Sequence, residues 1–466
     1  MDIAPASDRS LRRTALAVSM VSSFLTPFMA SSMNVAMPLV GKEFGLSAVT
    51  LGWVLTAYTL TAAMFLVPFG RLADITGRKR IFALGLGLDM CGATIGALTP
   101  SAALLILARA LQGVGGAMIF GTGIAILTSV YPPGARGRAL GLNTAAVYSG
   151  LSLGPVLGGF IVHVSGWRAI FLVTIPIAAT ALGLAVFRLK GEWADARGER
   201  FDLTGAVVFG AGLVSLMYGF SRLPSLSGFA LVAAGLAALA LFVLLELRHP
   251  APLIDLGLFR CNRIFAFSNL AALFNYSATA AVAFLMSLYL QYIKGLPPYK
   301  AGFVLVAQPI VMALASPFAG RLSDRTEPRL IASVGMALSA AGLFLFSFIG
   351  PATGFGFIVG TLVCLGLGFG LFSSPNTNAV MSSVETRQLG VASASLGTMR
   401  LTGQMMSAGI TMMIFALIMG REPITPALYP LFLRSAHVAF IFFAVLCVAG
   451  IFASLARGNT LPGRPI

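Results

Sequence analysis

Three ionisable side chains, Asp89, Arg109 and Arg400, lie deep inside long apolar runs. A charge in hydrocarbon is costly, so function is the default reading of such residues. A carboxylate there can carry a proton, because desolvation favours its neutral form, and a guanidinium can hold an anion. Counting 1.5 Å per helical residue, Asp89 lies about 12 Å from one edge of its run and Arg109 about 12 Å from the opposite edge of the next. Their depths then differ by about 6 Å across a bilayer core, within reach of an arginine side chain. Two readings follow: a structural Asp89–Arg109 pair, or a proton relay. Nothing else in the chain suggests catalysis. His163, His249 and His437 are scattered near helix ends, and no nucleophile or metal cluster is apparent, so an enzyme, a metal and a cofactor are not expected. Cys91, Cys261, Cys364 and Cys447 have no paired spacing; three lie in apolar runs and read as buried thiols.

The elements that position these residues follow from composition. Of 466 residues, 58% are hydrophobic and 10% charged, against about 25% charged in an average soluble domain. A net charge of +16 raises the question of nucleic acid. The basic residues fall instead in short clusters at alternate loops, the marking of cytoplasmic loops in membrane proteins. A span needs about 20 apolar residues. That criterion predicts helices near 14–38, 50–70, 81–98, 102–130, 139–163, 168–188, 203–220 and 227–247, then 264–292, 301–320, 330–349, 354–383, 391–418 and 432–456. With the N-terminus inside, 22 Lys and Arg fall on inner segments and seven on outer ones. Both termini are then cytoplasmic, in a multi-pass cytoplasmic-membrane protein. The first apolar stretch, after Arg9, Arg12 and Arg13, exceeds a signal h-region and reads as a retained span.

An internal repeat divides the chain. Gly70, Arg71, Leu72 and Asp74 recur as Gly320, Arg321, Leu322 and Asp324 after the tenth helix. Repeated halves are the usual build of secondary transporters, with substrate held between them near mid-membrane. The expected domains are an N-terminal six-helix bundle over 1–189, linker segments and two inserted helices over 190–261, and a C-terminal six-helix bundle over 262–466.

The segment from Gly70 to Arg80 resembles the loop signature of the major facilitator superfamily. In this reading Gly70 and Gly77 allow a tight turn between packed helices. Asp74 faces a neighbouring helix N-terminus, and Arg78, Lys79 and Arg80 hold the loop at the inner surface. In the fifth predicted helix Gly150, Gly154 and Gly158, spaced by four, form one flat face, and Pro155 removes a helical hydrogen bond. This string resembles the antiporter motif of the same superfamily. RALQGVGGA from Arg109, GWVLTAYTL, PLIDLGLFR and SPNTNAV resemble its fourteen-helix drug:proton antiporter branch over nearly the whole chain.

The resemblance implies an all-α membrane fold of two six-helix bundles plus two inserted helices, working by alternating access. It implies export of small amphipathic organic compounds with protons as coupling ion, by a monomer surrounded by lipid and without nucleic acid. The rival readings are an importer or uniporter of the same fold, and a non-transporting receptor. By the same analogy helices 1, 4, 9 and 12 line the cavity, offering Asn34, Arg109, Gln112, Asn275, Tyr276, Asn376 and Asn378, with Trp53 and Tyr58 nearby. Asn34, Ala36 and Pro38 fit the first-helix pattern of the branch, but Met29 stands where that pattern has an Asp. If both arginines face the cavity and no carboxylate does, the site is net positive and suits neutral or anionic solutes.

Overall fold

A computed structural model describes residues 6–199, 201–249, 252–254, 256–323, 325–385 and 388–458, apart from the side chains of 6–9 and 133–134. Asp324, Arg200, Arg387 and Arg464 therefore lie outside the described residues. Among the described residues are fourteen helices long and apolar enough to cross a membrane. The first half comprises α1 (Ala6–Phe44), α2 (Ala48–Thr76), α3 (Arg78–Leu98), α4 (Ala102–Val130), α5 (Pro133–Ser165) and α6 (Arg168–Arg188). An inserted hairpin, α7 (Leu203–Arg222) and α8 (Leu226–Glu246), follows. The second half comprises α9 (Arg263–Ile293), α10 (Pro298–Ser323), α11 (Pro328–Phe346), α12 (Phe355–Ser382), α13 (Leu389–Ile418) and α14 (Pro426–Ala456).

The halves are built alike. In the first, α1 packs on α5 and α6, α4 on α2 and α3, and α6 on α3; in the second, α9 packs on α13 and α14, α12 on α10 and α11, and α14 on α11. The α7–α8 hairpin leans on α2 and α13, at the seam between halves. Burial separates interior from periphery: 72% of the apolar window of α9 is buried against 17% for α8. The outward apolar surface, such as Leu314, Phe318 and Phe452, suits contact with lipid.

Two spans depart from the predicted continuous helices. In α9 the α-helix stops at Thr279 and resumes at Val282. There the Ala281 N–H donates to Ser407 Oγ of α13 at 3.0 Å, a side chain intruding on the helical ladder. The α10 span is interrupted at Val306, because Pro309 has no N–H to offer the Leu305 carbonyl. Two local readings are also corrected. Gly70 makes no turn, since α2 remains helical through Thr76; the turn belongs to Gly77, whose φ is +126°. Cys447 is buried, but Cys91 lies exposed on the outer surface of α3.

Across fourteen successive spans the start of α1, the end of α14, the Gly77 turn and the described residues joining α6 to α7 come to one side of the molecule, here termed the basic face. The joining segment is tied to the α2–α3 turn. Lys79 N donates to Glu192 Oε1 at 2.8 Å, and Arg78 N donates to the Trp193 carbonyl. Arg78 pairs with both Asp74 and Asp195, and Arg71 pairs with Glu199. The carboxylate at the N-terminus of α3 is therefore that of Glu192; Asp74, expected to face a helix N-terminus, holds Arg78 instead.

Candidate functional site

Two polar clusters occupy the membrane-spanning region, one in each half. In the first, glycines of α4 admit its neighbours closely. A Cβ at Gly113 would lie 2.3 Å from the Tyr58 carbonyl, and one at Gly116 would lie 2.5 Å from the Tyr58 hydroxyl. One at Gly115 would lie 2.8 Å from Asp89 N of α3. This packing wedges Arg109 and Gln112 between α2 and α3. Both are 1% exposed, and Arg109 Nη1 donates to Gln112 Oε1 at 2.7 Å. The guanidinium lies 4.6 Å from the centroid of the Tyr58 ring, a cation–π contact. Half-buried Asp89 lies within electrostatic reach of Arg109 and close to Gln112. Asp89, Gln112, Arg109 and Tyr58 thus form one cluster inside the first half.

The second cluster faces the seam between halves. Arg400 of α13 donates from Nη2 to Thr377 Oγ1 of α12 at 2.6 Å and lies 5.7 Å from the Tyr276 ring centroid of α9. Tyr276 in turn meets Phe369 edge-on at 5.2 Å. From the first half, Tyr148 of α5 comes within electrostatic reach of Tyr276, and its hydroxyl shares a 3.1 Å hydrogen bond with Ser316 Oγ of α10. Helical phase explains this placement. Tyr148, Pro155 and Gly159 lie about 100–140° around the helix from the centre of the Gly150–Gly154–Gly158 stripe, at about 100° per residue. When the stripe faces α1, they face α10.

That stripe does face α1. A Cβ at Gly154 would meet Ser31 Oγ at 1.8 Å, and one at Gly150 would meet the Phe24 carbonyl at 2.4 Å. Ser32 Oγ donates to the Gly154 carbonyl at 3.0 Å. On the other side of α5, a Cβ at Gly302 of α10 would lie 1.9 Å from the Pro155 carbonyl. A Cβ at Gly159 would lie 2.7 Å from the Pro298 carbonyl. Helix 5 therefore packs with glycine on both partners, one inside its own half and one across the seam.

The halves are joined further toward the face opposite the basic one. Pro38 leaves the Asn34 carbonyl without a helical donor, and Ser287 Oγ of α9 donates to it at 2.7 Å. Gln291 Nε2 donates to the Val35 carbonyl, and Tyr292 donates to that of Pro38. Ser47 and Pro423, from the loops beyond, form an isolated bridge across the same side.

The remaining residues singled out in the sequence are dispersed. Trp53 packs on Tyr218 of the inserted hairpin, with centroids 6.3 Å apart. Asn275 is wholly buried, with neither amide atom hydrogen-bonded. Successive positions of α12 turn three ways: Asn376 toward Ser268 of α9, Thr377 toward Arg400, and Asn378 to Ser323 of α10. Asn376 also accepts from Arg457, a residue just beyond α14 whose guanidinium is 1% exposed and donates as well to Ser268 Oγ. Burial, and then the nearby Arg329, lower the pKa of Arg457 to about 10, so it remains charged at neutral pH. The sequence reading passed over Tyr148, Ser287, Ser316, Thr377 and Arg457. The carbonyl freed by Pro38 and the helical phase of α5 were the signals available for Ser287 and Tyr148.

The model of the Major Facilitator Superfamily matches residues 19–408 and 270–465. The chain is 35% identical to the cephamycin export protein CmcT of Amycolatopsis lactamdurans, over 85% of this chain and 84% of that protein. It is 31% identical to the riboflavin transporter RibZ of Clostridioides difficile, over 83% and 84% respectively. Multidrug resistance protein Stp of Mycobacterium tuberculosis is also 31% identical, over 79% of this chain and 70% of that one. Among solved structures, a bacterial homologue of the human lysosomal transporter Spinster, in an inward-facing and unoccupied conformation, superposes with a TM-score of 0.69. Identity is 15%, over 99% of this chain and 100% of that chain.

Proposed function

The chain belongs to the major facilitator superfamily, and from that premise we propose that it exports small amphipathic organic compounds by alternating access, as a proton-coupled antiporter. The observation that carries this reading is the seam. Bonds from α9 to the carbonyls of α1, and glycine contacts between α5 and α10, close the halves on the side away from the basic face. A solute between the halves then communicates with the basic face, and rocking of the halves exposes it to the other. The excess of arginine and lysine on alternate loops makes the basic face cytoplasmic, with both chain ends inside. The protein acts as a monomer in the cytoplasmic membrane, with lipid against its outer surface. An apolar crevice of about 680 Å3 between α2 and α7, lined by Met64, Phe65, Phe69, Val207 and Val214, adds to that lipid-facing surface.

Export is favoured by the helix 5 glycine–proline string and by similarity to a protein named for cephamycin export. Asp89 is the proton carrier in this reading, being the one acidic residue away from the ends of the spans. Uptake is the second reading, favoured by similarity to a riboflavin transporter. Proteoliposomes containing a pH-sensitive dye, an imposed proton gradient and a panel of amphipathic solutes test both. Solute-dependent proton flux, absent in Asp89→Asn, is the expected result. Solute movement without proton movement would refute coupling, and co-directional solute and proton movement would refute antiport in favour of uptake.

A further inference from the structure

The two arginines predicted to face a common cavity have different surroundings. Arg109 is enclosed in the first half with Gln112, Tyr58 and Asp89, so its charge has partners there. Arg400 has no such company. The described spans that pack on α13, namely α2, α7, α9, α12 and α14, hold one acidic residue, Asp74, which pairs with Arg78 at the basic end of α2. Arg400 forms no ion pair among the described residues; its described hydrogen bond is to the neutral Thr377 hydroxyl, and its buried Nε has no partner. It lies eleven residues into α13, about 16 Å along the helix from the basic end at 1.5 Å per residue, in the middle depth of the membrane.

We propose that Arg400 is the specificity-determining residue of the site and selects amphipathic solutes that carry a carboxylate. This rests on the reading of the chain as a transporter of amphipathic compounds, and it names the class. A guanidinium presents five N–H donors in a planar fork matched to a carboxylate. With one donor engaged by Thr377, the fork keeps enough free N–H groups for a two-bond contact. Beside it, Tyr276 and Phe369 form an aromatic wall for the apolar body of the solute, and the Tyr148 hydroxyl marks the opposite half. An unpaired cation at this depth disfavours a quaternary ammonium solute by like-charge repulsion and favours an anion that neutralises it. Asp89 does not neutralise Arg400, because its described interactions are with Arg109 and Gln112 inside the first half.

The test uses binding, so that it stands apart from flux. Purified full-length protein in detergent is titrated with three fluorescent probes of one frame: pyrenebutyrate, pyrenebutyramide and pyrenebutyl-trimethylammonium. The acid is expected to bind roughly tenfold more tightly than the amide, the scale of a hydrogen bond to a charged group, and the cation to bind most weakly. Arg400→Gln should bring the acid to the level of the amide, and an unchanged thermal unfolding midpoint in detergent reports an intact fold. Arg400→Lys should keep part of the preference, having the charge without the fork. Equal binding of the three probes, preference for the cation, or an acid preference that survives Arg400→Gln would each overturn the proposal. So would failure of all three to bind. If proteoliposomes still move other solutes in that case, the transport reading stands while the anion reading falls.

Discussion

Arg109 and Arg400 look equivalent in the sequence, each a lone cation in an apolar run, yet their neighbours assign them different work. Gly113, Gly115 and Gly116 bring α2 and α3 against α4, so Arg109 is enclosed and electrostatically coupled to Asp89. Removing the guanidinium takes away its hydrogen bond to Gln112 and its contact with the Tyr58 ring, and leaves Asp89 without the nearby opposite charge. Arg109→Gln should therefore lower the thermal unfolding midpoint in detergent, and adding Asp89→Asn should recover much of the loss. Recovery identifies a coupled pair; two additive losses would mean that the groups act separately. The pairing and the proton role are compatible, since a carboxylate beside a fixed cation can still exchange its proton as its surroundings change.

At the level of elements, the fifth helix shows how one motif can serve two contacts. Its Gly150–Gly154–Gly158 stripe is pressed against α1 of the same half, whereas Gly159 and the Pro155 carbonyl meet α10 of the other. Substitutions on the two sides should behave differently. Gly154→Ala forces a Cβ against Ser31 and overpacks a contact internal to the half, at about 1–3 kcal/mol, lowering the unfolding midpoint. Gly302→Ala crowds the Pro155 carbonyl across the seam. It should instead raise the reactivity of a cysteine placed at Ser287, in a background without the native cysteines, as the halves separate on that side. Equal effects of both changes on stability, with no change in Ser287→Cys labelling, would refute the assignment of the α5–α10 contact to a moving seam. The joining segment adds a different kind of contact. Glu192, Asp195 and Glu199 bind the α2–α3 turn, and a side chain at Gly77 would collide with Glu192 at 2.5 Å, so the glycine there is required by both φ and space.

For the whole molecule, the even number of described spans puts the start of α1 and the end of α14 on one side, which the arginine-rich loops make the cytoplasm in the proposed orientation. A membrane-impermeant thiol reagent added to intact cells should label cysteines introduced at Ser225 and Glu422. Cysteines at Gly191 and Gly458 should react only after the membrane is opened. The reverse pattern would overturn the orientation and, with it, the direction of export.

The sequence alone determined what depends on local composition and spacing. Runs of apolar residues of bilayer length marked fourteen spans, because each helix satisfies its own backbone hydrogen bonds in lipid. The recurrence of Gly70–Asp74 at Gly320–Asp324 led to the expectation of two halves, and the first six and last six spans pack in the same pattern. Boundaries failed where a distant group intervened: the Ser407 hydroxyl takes the Ala281 N–H and interrupts α9, a contact separated by 126 residues. The site was less legible for the same reason. Sequence spacing gives the phase of a residue around its own helix but not which neighbour fills each side. Asn376, Thr377 and Asn378 are adjacent in the chain, yet only tertiary packing sends the first to Ser268 and Arg457, the second to Arg400 and the third to Ser323. Which buried arginine has a counter-charge was likewise decided by helix packing, since electrostatic partnership depends on distance through space rather than along the chain.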